Sequence, residues 1–475
     1  MQKMLIGGHL VGAEEWLEVL NPYTHEPVDH VARGSAMHGD QAVTLARHGA
    51  EKMRAIPLSQ RAAILKHVAE LIRQERQSLA TLLTLETGKL ISESRIEVER
   101  AAMVFDLAAE ACHHPRAAQF PPESFTDGAS RFGFWAREPM GVVASILAFN
   151  LPLAHAAQKT APAIAAGNAI ILKPSTEAPL TVLRLGLLLY RAGMPPEALS
   201  ILTGKGEELG HALAAHPLIQ ILTFTGSREV GLNLPAQAGA KRIEMELDAL
   251  GGLVATETAD PEQGAEVVAC CGFMMAGQSS SSIQHVWVHE RIFEAFKEAL
   301  LQRVAALRWG DPLDEQTTLP PMIHPHALQR VEQWVQEAIA QGAKPLTGAQ
   351  AKPPFYLPSV LVDTPPDCKL YTDAVFGPVV LLHAYKSLAE LLSQINRFTI
   401  GLRLSIYTRD IAEAFEFARH ARALSVHVND SPILPIDPVI RGDMQEHHLC
   451  FEDMLQRIDR LSQAKYIGFG RMALF

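Results

Sequence analysis

Four short stretches carry side chains whose types suit chemistry. Asn150 follows the apolar run GVVASILAF. The tetrapeptide FTGS, residues 224–227, closes one apolar run and precedes a polar one. Glu246 lies nineteen residues beyond Ser227, and GQSSSS, residues 277–282, precedes the run HVWVHE. Amides and helix-start N–H groups bind anions, carboxylates move protons, and hydroxyls attack electrophiles. Each stretch also has a plainer use: Asn as a turn former, Thr-Gly-Ser as a turn and N-cap, a lone Glu on a surface, a serine run as a loop. Taken singly, none is specific.

The pattern around them is that of an α/β protein. Residues 38–113 read as helix almost throughout, with apolar positions recurring at three and four along AAILKHVAELIRQERQSLATLLTLETGKLI. Residues 114–137, rich in Pro and aromatics, read as a loop leading into an extended strand. From residue 140, short apolar runs alternate with helical segments. GVVASILAF, AIILKP, LSILTG and IQILTFTG read as strands, and LAHAAQKTAPAIAAG reads as a helix closed by Gly167. ALGGLVATE, HVWVHE, PFYLPSVLVD, GPVVLLHAY, LRLSIYT and LSVHVND form a second such series, so two covered, mainly parallel sheets are expected. The tail RLSQAKYIGFGRMALF ends in an extended apolar segment, which is expected to pair in an oligomer.

Order and spacing add what single residues do not. ETGK at 86–89, REPMGVVASILAFNLPL at 137–153, ILKPS at 171–175, FTGSREVG at 224–231, GDPLDE at 310–315, FGPVV at 376–380 and VNDSP at 428–432 together resemble the aldehyde dehydrogenase superfamily. The likeness is greatest to bacterial branches that handle small aldehydes such as lactaldehyde, glycolaldehyde or phosphonoacetaldehyde. The resemblance implies a Rossmann-type NAD(P)-binding domain over about 1–118 and 138–246. It further implies a catalytic α/β domain over 247–440 and a small β oligomerisation element from 119–137 and 441–475. It assigns Asn150 to the oxyanion amide and Glu246 to the water-activating carboxylate. On the cofactor side it assigns Lys173, with Ser175 and Thr176 in the same segment, to the adenosine ribose. Gly226 and Ser227 fall at the helix that faces the pyrophosphate, and Phe376 beside the nicotinamide. The implied chemistry is thiolate attack on an aldehyde, hydride transfer to NAD or NADP, and hydrolysis of a thioester.

The pattern breaks where the nucleophile should stand. The family's Gly-Gln-x-Cys reads Gly277-Gln278-Ser279-Ser280, and the spacing from Glu246 puts Ser280 in the cysteine's place. A serine hydroxyl is a far weaker nucleophile near neutral pH and needs a neighbouring base. Cys270 and Cys271 lie more than two helical turns upstream. Asp248-Ala249 replace the Gly-rich pair after the matched Glu-Leu, which sets a carboxylate near the place of an anionic cofactor. Ala374 stands for a ribose-binding Glu and Thr176 for another. RGDMQEHHLC, residues 441–450, replaces the family's glycine-rich segment.

Composition bounds the rest. A chain of 51.9 kDa with 48% hydrophobic and 20% charged residues is an ordinary soluble globular protein. The net charge of −10 argues against nucleic acid, and five cysteines argue for a reducing, cytoplasmic setting rather than a disulfide framework. The uncharged stretch 139–158 is broken by Asn150-Leu151-Pro152 and contains His155, so no membrane span is expected. Gly204-x-Gly206 reads as a turn before a helix, and His447, His448 and Cys450 lack a second ligand pair, so no metal site is expected. Three functions remain open. The leading one is a homo-oligomeric or heteromeric structural or regulatory partner with aldehyde oxidation lost or nearly lost. The others are an active NAD(P)-dependent dehydrogenase of a small aldehyde with position 280 altered, and a Ser280-dependent hydrolase or acyl transferase.

Overall fold

The computed structural model describes residues 1–114, 118–120, 132–432 and 454–469. The helical region resolves into Ala36–Ala55, Leu58–Gln74, Arg76–Thr87 and Ile91–Ala111. Pro57 and the left-handed Gly88 (φ 73°) interrupt an otherwise continuous amphipathic pattern.

Two seven-stranded sheets follow. The first runs Arg242–Glu246, Ile221–Thr225, Val142–Ile146, Ala169–Lys173, Leu199–Ile201, Met4–Ile6, His9–Val11. Its first five strands are parallel, and Met4–Ile6 joins antiparallel to Leu199–Ile201. Strand order reverses direction at Val142–Ile146, which makes its carboxyl end the switch point where α/β sheets bind ligands. The helix Pro152–Ala166 leaves this point buried at every residue and stops at Gly167, whose φ of 87° suits a residue without Cβ. The second sheet runs Lys344–Thr347, Ser359–Val362, Val379–Tyr385, Ile283–His289, Leu250–Ala255, Leu402–Tyr407, Ser425–Val428, parallel except at Lys344–Thr347.

One apolar cluster runs from Met4 to Leu247 and takes in Leu461, while three others lie between Leu250 and Phe417. The tail strand Ser462–Phe469 pairs antiparallel with Phe132–Pro139 of the same chain, and Ala118–Phe120 lies beyond it. One edge of the tail strand is thus satisfied within the chain, and the tail strand forms the border of this small sheet. Segment 441–450, with His447, His448 and Cys450, lies outside the described residues. Among those described, no helix is long and apolar enough to cross a membrane, and no group of three or more His, Cys, Asp or Glu could hold a metal ion.

Candidate active site

A cavity of about 890 Å³ opens between the carboxyl ends of the first sheet's strands and the amino ends of the second's. Asn150, Ser175, Thr176, Gly226, Ser227, Glu246, Ser280 and Phe376 all line it. Lys173 does not. It is buried behind the wall, its Nζ donating to the Pro174 carbonyl at 3.1 Å. Burial, against the pull of Glu177, brings its pKa down to about 8.

Asn150 is held through a network that begins in ETGK. Lys89 Nζ donates to the Asn150 carbonyl at 2.6 Å and forms a buried ion pair with Glu97. Glu97 also accepts the backbone N–H groups of Leu153 (2.9 Å) and Ala154 (3.1 Å), so a carboxylate from one helix caps the start of another. Glu86 does the same for Leu180 and Thr181 at the start of the next helix. Lys89 and Glu97 were not singled out from sequence. ETGK was visible, but the Glu eight residues after its lysine carries no signal until the helices meet. The Asn150 side-chain amide donates to the Gln278 carbonyl at 3.0 Å.

The serine loop follows the helix Pro261–Phe273 through Met275, Ala276 and Gly277, all left-handed (φ 51°, 53° and 70°). A Cβ on Gly277 would stand 2.0 Å from the Gly377 carbonyl oxygen, so only glycine lets the Ser280 loop meet the Phe376 loop this closely. Gln278 anchors the turn: its amide donates to Met275 O (3.1 Å) and its oxygen accepts Ile323 N–H (3.0 Å). Ser282 Oγ donates to the Cys271 and Gly272 carbonyls. Ser280 Oγ, by contrast, has no hydrogen bond to any described residue.

Glu246 ends the strand Arg242–Glu246 with about a third of its side chain open to the cavity. Its Oε1 accepts from Lys159 Nζ at 2.8 Å, and its Oε2 from Thr225 Oγ1 at 3.2 Å. Burial would raise its pKa, but Lys159, Arg457 and His155 outweigh that and hold it well below the usual carboxylate range. Both oxygens thus serve neighbours other than Ser280, and the charge is fixed. Lys159 and Arg457 too went unremarked in the sequence, because their role depends on a helix and a tail segment converging on one strand end.

Ser227 caps the helix Arg228–Ala238. Asp248 Oδ2 accepts the N–H of Arg228, the first residue of that helix, at 3.3 Å. Burial raises the Asp248 pKa, against the Arg228 N–H and Arg330. A carboxylate therefore already occupies part of the anion-favouring helix start. Phe376 meets Phe149 edge-on at 6.1 Å. Cys270 and Cys271 lie on the preceding helix, with Cys271 Sγ 3.1 Å from Ser431 Oγ. No cysteine among the described residues lines the cavity.

Residues 10–442 match the aldehyde dehydrogenase family. The chain belongs to that family. This aldehyde dehydrogenase homologue is 33% identical over 464 residues to a 3-sulfolactaldehyde dehydrogenase of Priestia aryabhattai, covering 98% of this chain and 97% of that one. It superposes with a TM-score of 0.95 and 31% identity on aldehyde dehydrogenase 21 of Physcomitrella patens in complex with succinate, covering 100% and 99% of the two chains. A glyceraldehyde-3-phosphate dehydrogenase of Methanocaldococcus jannaschii complexed with NADP gives a TM-score of 0.92 at 30% identity, covering 96% and 99%.

Proposed function

We propose that this member of the aldehyde dehydrogenase family lacks, or nearly lacks, NAD(P)-dependent aldehyde oxidation. In this reading it serves as a structural or regulatory partner in the cytoplasm, as a homo-oligomer or paired with an active relative, and keeps a cavity for a small aldehyde or related molecule. One observation carries the reading: no described thiol lines the cavity, and the hydroxyl in the nucleophile's place has no base beside it. A nucleophile needs a base within hydrogen-bond reach. The nearest family candidate, Glu246, is an ionised partner of Lys159 instead. The same geometry disfavours a Ser280 hydrolase. The border strand of the tail sheet supports pairing with a second chain.

A nicotinamide cofactor fits this cavity in part. Ser175, Thr176, Gly226, Ser227 and Phe376 would hold NAD or NADP along its length, and the group would supply a hydride acceptor. Asp248 opposes it at the pyrophosphate end, so binding is weakened in this reading. Asn150 would still orient a carbonyl through its amide, and the ionised Glu246 would accept a hydrogen bond from water without taking its proton.

Retention of Asn150, Lys173 and Glu246 favours a second reading, an active dehydrogenase with position 280 altered and the other changes tolerated. Spectrophotometric assay of NADH or NADPH formation with small aldehydes separates the two. The first expects no turnover by the protein and little by Ser280→Cys alone. Turnover by the unaltered protein at about 1 s⁻¹ or faster, the ordinary enzyme range, overturns it. Full recovery by Ser280→Cys alone supports the second.

A further inference from the structure

Beside Ser280 lies a group of donors that the family resemblance does not assign. Strands Leu402–Tyr407 and Ser425–Val428 run parallel, with Arg403 opposite Ser425 and Ser405 opposite His427. Residues two apart along a strand share a face, so these four side chains stand on one side of the sheet. Arg403, Ser425 and His427 line the cavity together with Ser279, Ser280 and Ser281. Arg403 Nη1 donates to Ser281 Oγ at 3.2 Å, which fixes the guanidinium one residue from Ser280. His427 Nε2 lies 3.0 Å from Ser425 Oγ. Behind them Ser405 is fully buried, its hydroxyl without a partner among the described residues.

We propose that Arg403, with Ser281 and His427, binds the anionic group of a small organic acid, a carboxylate or sulfonate, in the part of the cavity beside Ser280. The donor set is the reason. A guanidinium offers five N–H donors in a planar fork and no acceptor, which matches a two- or three-oxygen anion. The Ser281 hydroxyl supplies a further donor, and Ser425 accounts for His427 Nε2, accepting its hydrogen or donating to it. Burial lowers the His427 pKa against the exposed Asp430, and Arg403 lowers it further, so the ring is a neutral donor and Arg403 the fixed cation of the group. Arg403 thereby becomes the specificity-determining residue of the cavity, selecting ligands whose charged end reaches this corner.

This inference deepens the reading that the cavity still takes a small molecule, and its test needs neither cofactor nor turnover. Butyrate, propane-1-sulfonate and the uncharged butyramide are titrated calorimetrically into the full-length protein. Both anions are expected to bind at least tenfold tighter than butyramide. Arg403→Met abolishes that preference, Arg403→Lys keeps part of it, and Ser281→Ala weakens it a few-fold, as expected for one charge-assisted hydrogen bond. A thermal melt of each variant separates lost binding from lost folding; if Arg403→Met fails to fold, Arg403→Lys and Ser281→Ala carry the comparison. Equal binding of butyrate and butyramide, no binding of any probe, or an anion preference unchanged in folded Arg403 variants would each overturn the proposal. Dehydrogenase turnover would overturn the proposed function while leaving the anion preference, and hence this inference, intact.

Discussion

Replacing Asp248 by Asn is the sharpest probe of the cofactor side. The change keeps the side-chain shape and an acceptor for the Arg228 N–H, 3.3 Å away, and removes one negative charge from the helix start. Two unit charges 4–6 Å apart at an effective dielectric of 20 repel by about 3–4 kcal/mol. Arg330 and the Arg228 N–H already offset part of the Asp248 charge. The remaining gain is about 1.4–2.8 kcal/mol, or ten- to hundredfold tighter NADP binding. Titration calorimetry with NADP at neutral pH measures it directly. The pH dependence adds a second signature. Burial raises the Asp248 pKa, so lowering the pH neutralises this carboxylate sooner than an exposed one. Binding by the unaltered protein should therefore tighten as pH falls through that range, while Asp248→Asn should show no such component. An affinity unchanged within about twofold in a folded Asp248→Asn protein, with the same pH profile, would refute the idea that this carboxylate opposes the dinucleotide.

Two further outcomes concern the frame around the site. Glu97→Ala leaves Lys89 buried without its partner and uncaps the helix Pro152–Ala166, so denaturant unfolding should show a loss of about 3–5 kcal/mol. In the second sheet, His285 Nδ1 lies 3.2 Å from His383 Nε2, and burial lowers the His383 pKa from 6.5 to about 4. The unfolded chain then binds a proton that the folded ring refuses. Stability is full above the unfolded value and falls as pH drops from about 6.5 toward 4. With allowance for partial exposure of His383, the loss between pH 7 and 4.5 should be about 2 kcal/mol greater than in His383→Leu. Equal slopes in the two proteins would exclude this pair as the source.

Most of the architecture was legible because local patterning agrees with the tertiary result. The period-3.6 stretch became four helices, and the short apolar runs became the strands of two sheets. Gly167 stops its helix in the left-handed conformation expected of it. The strands Met4–Ile6 and His9–Val11 escaped notice because each spans three residues, too few for a pattern. They pair with each other, and the first joins the large sheet through Leu199–Ile201, far along the chain. The tail strand was expected to pair with another chain, yet one of its edges is taken by Phe132–Pro139. The two strands are more than three hundred residues apart, and sequence patterning does not say which distant strand a terminal one will meet.

Residue identities by themselves determined the family, the place of the serine where a cysteine is expected, and the carboxylate after Glu246-Leu247. These are facts of covalent chemistry that no fold can alter. Tertiary structure decided what those groups are able to do. It put Lys159 on Glu246 and the Arg228 amide on Asp248, and left the Ser280 hydroxyl without a base. It also turned Arg403 toward Ser281. Reactivity and charge depend on neighbours within a few ångströms, and those neighbours come from helices and strands distant in the chain, which only packing brings together.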